Sequence, residues 1–170
     1  MMRTLITGGI RSGKSRYAEQ LARGCGWPVT YLATARQSDD TEMAERIRRH
    51  RERRPPEWRS LEVPEALAEG LGQAAGEGRC LLVDCLNLWV SNLLLAGEAR
   101  LATEQARLLE VLPTLPGRII LVSNEVGMGL VPPNPLGRRF CDALGELNQA
   151  VAARCEQVVF TVAGQPLTIK

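Results

Sequence analysis

Apolar and polar positions along the chain form blocks that predict alternating strands and helices. The short apolar runs, rich in β-branched residues, are typical of buried strands and lie at residues 4–7, 29–33, 80–83, 119–122 and 158–162. Segments with helix-like spacing separate them, at residues 14–23, 41–53, 64–75, 101–112 and 136–153. This order predicts an α/β fold whose mostly parallel central sheet carries helices on both faces, with ligands at the carboxyl ends of the strands.

Composition narrows the class of protein. With 170 residues, 45% of them apolar, the chain can fill one core, and we predict a single domain over residues 1–170. A net charge of +2 gives no argument for nucleic-acid or membrane binding. The five cysteines include no C-x-x-C pair, which favours reduced thiols. Residues 1–8 run directly into a motif and leave no room for a signal peptide. Polar residues interrupt every apolar run before it reaches the length that spans a membrane. We therefore expect a cytoplasmic protein without stable membrane insertion.

A phosphate-binding loop follows the first predicted strand. The stretch GGIRSGKS at residues 8–15 fills the pattern G-x-x-x-x-G-K-[ST] without a mismatch. Its glycines let backbone N–H groups converge on phosphate oxygens, Lys14 can reach the outer phosphates, and Ser15 offers a hydroxyl to Mg²⁺. We expect the whole loop to bind nucleotide through Gly8, Gly9, Ile10, Arg11, Ser12, Gly13, Lys14 and Ser15.

An acidic residue ends the third predicted strand. Asp84 closes the run CLLVD, which resembles a Walker B element, and its carboxylate can bind the Mg²⁺ directly or through water. An aspartate often just ends a strand, so the pattern is weak alone, but together with the phosphate-binding loop it makes Asp84 the favoured metal ligand. No second carboxylate stands out as a general base for a kinase, and that role stays open.

The only histidine, His50, lies in the arginine-rich stretch ERIRRHRERRPPEW at residues 45–58. Its surroundings predict a helix that ends near Arg54, before Pro55. From these residues alone, a solvated Arg/Glu helix with a partly covered histidine is favoured over phosphate chemistry. Contact with nucleic acid ranks third, because Trp58 is the only aromatic ring nearby.

Longer segments add a family likeness that covers almost the entire chain. They read GGIRSGKSRYAE, YLATA, DDTEMAERIRRHRERRPPEWRSLE, LLVDCLNLWVSNLL, LVSNEVGMGLVPPNPLGRRFCDALGELNQAVA and VAGQPLTIK. The most specific parts are His50-Arg51-x-x-Arg54-Pro55-x-x-Trp58-x-x-x-Glu62 and the run NEVGMG at residues 124–129. Together they closely resemble the bifunctional adenosylcobinamide kinase and adenosylcobinamide-phosphate guanylyltransferase family. The resemblance implies a recombinase-like, three-layer P-loop NTPase fold and a homotrimer with nucleotide sites near subunit boundaries.

The resemblance also implies two reactions in the assembly of adenosylcobalamin. ATP or GTP, with Mg²⁺, phosphorylates the aminopropanol hydroxyl of adenosylcobinamide. GTP then donates GMP to adenosylcobinamide phosphate, giving adenosylcobinamide-GDP and pyrophosphate. In the family this second transfer passes through a guanylylated histidine, and His50 occupies that position. A neutral imidazole can attack the α-phosphate, and a cationic surrounding keeps more of it neutral.

Further site residues follow from the same resemblance. Arg51 and Arg54 would contact the nucleotide, with Glu52 and Arg53 on the same segment. Ala33, Thr34 and Ala35 would line the guanine nucleotide site, and Glu62 is a candidate contact to base or ribose, although a surface carboxylate is a close alternative. Asn124 and Glu125 are candidates for substrate or subunit contacts, against a loop cap formed by Asn124.

Two other functions remain as alternatives. The first is a P-loop small-molecule kinase without nucleotidyl transfer, in which His50 belongs to a structural helix. The second is a P-loop nucleic-acid ATPase that uses the arginine cluster as its contact surface; it would show strong, salt-sensitive polynucleotide binding. We expect no nucleic-acid partner, because the complete set of motifs favours the cobinamide enzymes.

Overall fold

A seven-stranded sheet forms the centre of this computed structural model, which describes residues 1–36, 45, 48, 52 and 54–170. The strands are β1 (Met2–Gly8), β2 (Val29–Ala33), β3 (Arg59–Glu62), β4 (Cys80–Asp84), β5 (Arg118–Val122), β6 (Gln157–Val162) and β7 (Gln165–Thr168). Their order in the sheet is β3-β2-β4-β5-β1-β6-β7. Neighbours pair in parallel, except that β7 returns antiparallel to β6.

Helices cover both faces of this sheet. They are α1 (Lys14–Gly24), α2 (Leu67–Ala74), α3 (Leu86–Ala96), α4 (Glu98–Val111) and α5 (Pro135–Ala153), with a 3₁₀ turn (Leu112–Thr114) after α4. Alternate residues of one strand enter opposite cores: Leu81 packs with α2 to α5, whereas Leu82 packs with α1. The predicted three-layer α/β arrangement, mostly parallel with helices on both faces, is confirmed.

All five predicted strands are present, and four predicted helices correspond to α1, α2, α4 and α5. The predicted helix at residues 41–53 lies largely outside the described residues, although Glu45, Arg48 and Glu52 are helical. Three elements were missed. Strands β3 and β7 are short, largely exposed edge strands, so they lack an apolar run. Helix α3 is apolar around much of its circumference and shows no amphipathic period.

The cysteines are unpaired in the fold, as expected for reduced thiols. All five cysteines are described and all are free thiols, and burial raises the pKa of Cys80, Cys85 and Cys155 to about 12. Such thiols stay protonated near neutral pH.

Among residues 1–36 and 54–170, none of the helices combines the length and apolar character needed to cross a membrane.

Candidate nucleotide and metal site

The predicted site residues gather at the carboxyl edge of the sheet. Register places Ala33 beside both Asp84 and Glu62, and it places Gly8 beside Thr161. Because β1, β2, β3 and β4 are parallel, their carboxyl ends open on the same side. The phosphate-binding loop, Asp84 and Glu62 therefore share one edge, as ligand sites in open α/β sheets do.

The phosphate-binding loop turns through backbone conformations that favour glycine. Gly8 and Gly13 have φ of 154° and 99°, and Arg11 between them has a φ of 55°. Lys14 opens α1, and its Nζ donates to the carbonyl of Gly9 at 2.6 Å. The loop thus presents a lysine at a helix N-terminus, where the dipole favours an anion.

Lys14 is buried, with 7% of its surface exposed. Burial lowers its pKa below the ordinary value, while the nearby Cys85 and Asp84 side chains oppose that shift. Asp84 is thus close enough to act electrostatically on Lys14, so the lysine of the loop and the acid of β4 belong to the same region of the sheet edge.

The β6–β7 hairpin holds the phosphate-binding loop in place through hydrogen bonds to Ser12. The hydroxyls of Ser12 and Thr161 are 2.9 Å apart in a buried hydrogen bond, and the Gly164 N–H donates to the Ser12 carbonyl at 2.9 Å. Neither Thr161 nor Gly164 was among the predicted site residues. Gly164 lies in the closing stretch VAGQPLTIK, which stood out in the sequence only as part of the family resemblance.

Gly8 has no room for a side chain. A Cβ there would lie 2.4 Å from the backbone oxygen of Thr161, whereas a Cβ on Gly9 meets nothing within 4 Å. We expect Gly8→Ala to lower the free energy of unfolding by about 2–3 kcal/mol and to abolish nucleotide binding, because the loop must move away from β6. Chemical denaturation and nucleotide titration measure both effects. Gly9→Ala is the matched stability control, and equal unfolding curves for the two variants would contradict this account of the loop.

The end of β2 is tied to the start of the segment after β4. The Thr34 hydroxyl donates to the Cys85 carbonyl at 2.7 Å and accepts from the Cys85 N–H at 3.0 Å. Asn92 of α3 donates to the Thr34 carbonyl at 2.8 Å. Thr34 is fully buried, so its side chain supports the site from within the core, while Ala35 is half-buried at the rim.

Asp84 is held by an aromatic side chain of the neighbouring strand. The Tyr31 hydroxyl donates to Asp84 Oδ2 at 2.8 Å. Burial, followed by the charge of Asp84, raises the pKa of Tyr31, so the phenol remains a donor. Tyr31 was not among the predicted site residues, because a tyrosine in an apolar run is typical of a core residue.

Part of the predicted histidine segment is among the described residues. His50, Arg51 and Arg53 lie outside the described residues. Glu52 is exposed and accepts a hydrogen bond from Arg48. The Arg54 guanidinium lies over the Tyr31 ring, with Cζ 3.7 Å from the ring centroid. Arg54 thus reaches the site through the same tyrosine that binds Asp84.

The segment after β5 lies against the phosphate-binding loop. The Glu125 N–H donates to the Gly8 carbonyl at 2.9 Å, and Asn148 of α5 donates to the Asn124 carbonyl at 3.0 Å. The Glu125 carboxylate accepts from the Gly127 N–H. Asn124 and Glu125 are therefore next to the site, and the Glu125 carboxylate folds back on its own loop.

Comparison with known families shows where the chain belongs. The family model described as cobinamide kinase / cobinamide phosphate guanyltransferase matches residues 4–169. The chain belongs to this family. Its resemblance to the cobinamide kinase and guanyltransferase enzymes is thus confirmed, and the protein is a bifunctional enzyme of adenosylcobalamin biosynthesis.

Two relatives of the cobinamide kinase / cobinamide phosphate guanyltransferase family match along all or nearly all of their length. The chain is 59% identical over 170 residues to the bifunctional adenosylcobalamin biosynthesis protein CobP of Pseudomonas aeruginosa, covering 99% of this chain and 98% of that protein. It is 38% identical over 183 aligned residues to CobU of Escherichia coli, which carries the same description, covering 99% and 100%.

Solved structures with low sequence identity show the fold of this family member. The RadB recombinase superposes with a TM-score of 0.52 at 16% identity, covering 94% of this chain and 73% of that one. An ATPase from a bacterial type III secretion system gives a TM-score of 0.53 at 12% identity, covering 94% and 50%. The recombinase-like P-loop fold predicted from the resemblance is confirmed.

Proposed function

We propose that this enzyme phosphorylates adenosylcobinamide with ATP or GTP and then transfers GMP from GTP to adenosylcobinamide phosphate. The products are adenosylcobinamide-GDP and pyrophosphate. The observation that carries the proposal is a formed phosphate-binding loop whose buried Lys14 is within electrostatic range of Asp84, in a chain whose family is described by both activities. The experiment is incubation with adenosylcobinamide, ATP, GTP and Mg²⁺, followed by mass spectrometry of the corrinoids. Appearance of both corrinoid products supports the proposal, and absence of either overturns it.

The phosphoryl-transfer step needs positioning and charge more than covalent chemistry. Lys14 and the N-terminus of α1 would hold the outer phosphates, and the backbone N–H groups of residues 8–15 would surround them. Glycines at three of the loop positions permit this close approach. The loop thereby positions the γ-phosphate for attack by the aminopropanol hydroxyl.

Ser15 and Asp84 fit the requirements of a magnesium ion. Both offer oxygen atoms, the donor type that Mg²⁺ prefers, and Asp84 adds negative charge at the strand end. Mg²⁺ usually keeps several waters and is bound by substrate phosphates together with one or two protein ligands, which these two side chains could supply. Bound Mg²⁺ would neutralise charge that develops on the phosphates.

The guanylyl-transfer step would use His50 as a temporary carrier. A ring nitrogen of His50 attacks the α-phosphate of GTP, a phosphorus–nitrogen bond forms, and pyrophosphate leaves. An oxygen of adenosylcobinamide phosphate then attacks the same phosphorus and displaces the imidazole. Arg51, Arg53 and Arg54 would balance the triphosphate charge. Support for this step comes from the sequence pattern and from Arg54, which contacts Tyr31 at the site.

The remaining assignments concern binding and assembly. Ala33, Ala35 and Glu62, at the ends of adjacent strands, would contact the guanine nucleotide, with Thr34 behind them and Glu52 on the arginine-rich segment. Asn124 and Glu125 would face the corrinoid or a neighbouring subunit. We further propose that the enzyme acts in the cytoplasm as a homotrimer without a nucleic-acid partner.

Replacing Asp84 with asparagine tests the metal assignment. The amide keeps the shape and an acceptor for Tyr31 but removes the charge, so we expect the Mg²⁺ concentration for half-maximal turnover to rise about tenfold or more, with little change in thermal unfolding. Mg²⁺ titrations of both activities measure this. Asp142→Asn, on the exposed face of α5, is the matched control. An unchanged Mg²⁺ requirement and turnover in Asp84→Asn would refute the assignment.

A further inference from the structure

Tyr31 joins two parts of the site that are far apart in the sequence. Its side chain is 98% buried in the core between the sheet and α1, yet its hydroxyl reaches Asp84 Oδ2 at 2.8 Å. The face of the same ring carries the Arg54 guanidinium at 3.7 Å. One rigid side chain therefore contacts both the acid of β4 and the end of the histidine segment.

We propose that Tyr31 is a positioning residue: its hydroxyl orients Asp84 for metal binding, and its ring holds Arg54 for guanylyl transfer. This inference rests on the proposed roles of Asp84 and Arg54. Tyr31 acts through these two residues: its hydroxyl donates to Asp84, and its ring face carries Arg54, whose guanidinium also lies close enough to act on the hydroxyl. The two contributions are separated by comparing Tyr31 variants in backgrounds that lack Asp84 or Arg54.

The hydroxyl contact restricts a carboxylate at a strand end. A carboxylate can rotate about its Cβ–Cγ bond, and a hydrogen bond to one of its two oxygens favours one orientation of the group. The Tyr31 ring cannot follow such a rotation, because it is packed in a core cluster with Trp58 and Leu82. The phenol thus fixes the direction in which Asp84 presents its charge.

The ring contact restrains Arg54 by a different force. A guanidinium within about 6 Å of an aromatic ring is attracted to the negative face, most strongly where water is excluded. Arg54 Nε is buried and has no hydrogen-bond partner among the described residues, while a terminal nitrogen donates to Ser60 Oγ at 3.3 Å. The ring face is therefore a principal contact that keeps this guanidinium in place.

Two substitutions separate the contributions. Tyr31→Phe removes the hydroxyl and keeps the ring, whereas Tyr31→Leu removes both. Tyr17→Phe, which changes the other tyrosine of the chain, is the matched control: Tyr17 is half-buried on α1, and its hydroxyl has no hydrogen bond to the part of the chain that the structure describes. Thermal unfolding of each variant verifies that the protein is folded.

The hydroxyl is tested by equilibrium binding of a fluorescent β,γ-imido ATP analogue at increasing Mg²⁺. For Tyr31→Phe we expect the half-saturating Mg²⁺ concentration to rise about three- to tenfold, with unchanged affinity in EDTA. Tyr17→Phe should bind as the wild type does. A purely structural role would instead weaken binding with and without Mg²⁺, and either that result or a wild-type Mg²⁺ titration overturns the hydroxyl's role.

A double-mutant cycle with Asp84→Asn separates this inference from the proposed metal site. If Tyr31 acts through Asp84, Tyr31→Phe adds no further shift in the Asp84→Asn background. If Asp84→Asn shifts the Mg²⁺ titration but Tyr31→Phe does not, the inference alone is wrong. If Asp84→Asn has no effect, both the metal assignment and the inference are overturned.

The ring is tested by the rate of guanylyl transfer. Tyr31→Leu should transfer GMP about three- to tenfold more slowly than Tyr31→Phe, because only the leucine variant loses the aromatic face on which Arg54 lies. Arg54→Ala should slow Tyr31→Phe but add little to Tyr31→Leu. Equal rates in the folded Phe and Leu variants would show that the ring does not position Arg54.

Discussion

Replacing Lys14 with alanine is expected to reduce kinase and guanylyltransferase turnover by about 100-fold or more each. Both proposed reactions begin with a bound triphosphate. Lys14 supplies the localised positive charge of the phosphate-binding loop, and it does so from a buried position at the start of α1. Charge that is already oriented and shielded from water stabilises a transition state more than the same charge in solvent does.

The two rates are measured separately, with adenosylcobinamide for the first reaction and adenosylcobinamide phosphate for the second. Lys170→Ala is a matched control, since Lys170 is the other lysine of the chain and lies exposed at its end. The control should retain both activities. Near-wild-type rates in folded Lys14→Ala protein would contradict the assignment of Lys14.

Replacing His50 with alanine is expected to separate the two reactions. Guanylyl transfer should fall about a thousandfold or more, because the covalent step loses its nucleophile. Phosphorylation of adenosylcobinamide should largely survive, since direct transfer to the substrate hydroxyl requires no enzyme nucleophile. The chain has no second histidine to replace the first.

The same two assays measure this separation, with thermal unfolding as the test of folding. His50→Asn provides a variant that keeps a polar side chain without a nucleophilic imidazole, and it should behave as His50→Ala does. Loss of both activities together in folded protein would indicate a shared role in substrate binding. Retention of guanylyl transfer would favour a structural helix.

The central strands were predictable because parallel strands covered on both faces are apolar throughout. The runs at residues 80–83 and 119–122 became β4 and β5 with few changes at their ends. Edge strands carry no such signal: β3 has the sequence RSLE and β7 has QPLT. Pairing with β2 and β6 makes them strands, and pairing between distant segments cannot be derived from local propensity.

The site shows the same division between local motifs and tertiary contacts. The phosphate-binding loop was predictable because its contacts with phosphate come from one continuous stretch that includes Gly8 and Lys14. The support from Thr161 is 149 residues away from Ser12, and the contact of Tyr31 with Asp84 spans 53 residues. Thr161 and Tyr31 are common residue types within strands, so these contacts can be recognised only once the sheet has placed the strands side by side.

The most direct test of the two-step account is incubation of the wild-type enzyme with α-labelled GTP and Mg²⁺, without a corrinoid. The account predicts one labelled protein species whose label is released by acid and resists base, as expected of a phosphorus–nitrogen bond. Adding adenosylcobinamide phosphate should move the label into adenosylcobinamide-GDP, and His50→Ala should acquire no label. Normal labelling of the mutant, or product formation by wild-type enzyme that never becomes labelled, would contradict a GMP carrier at His50.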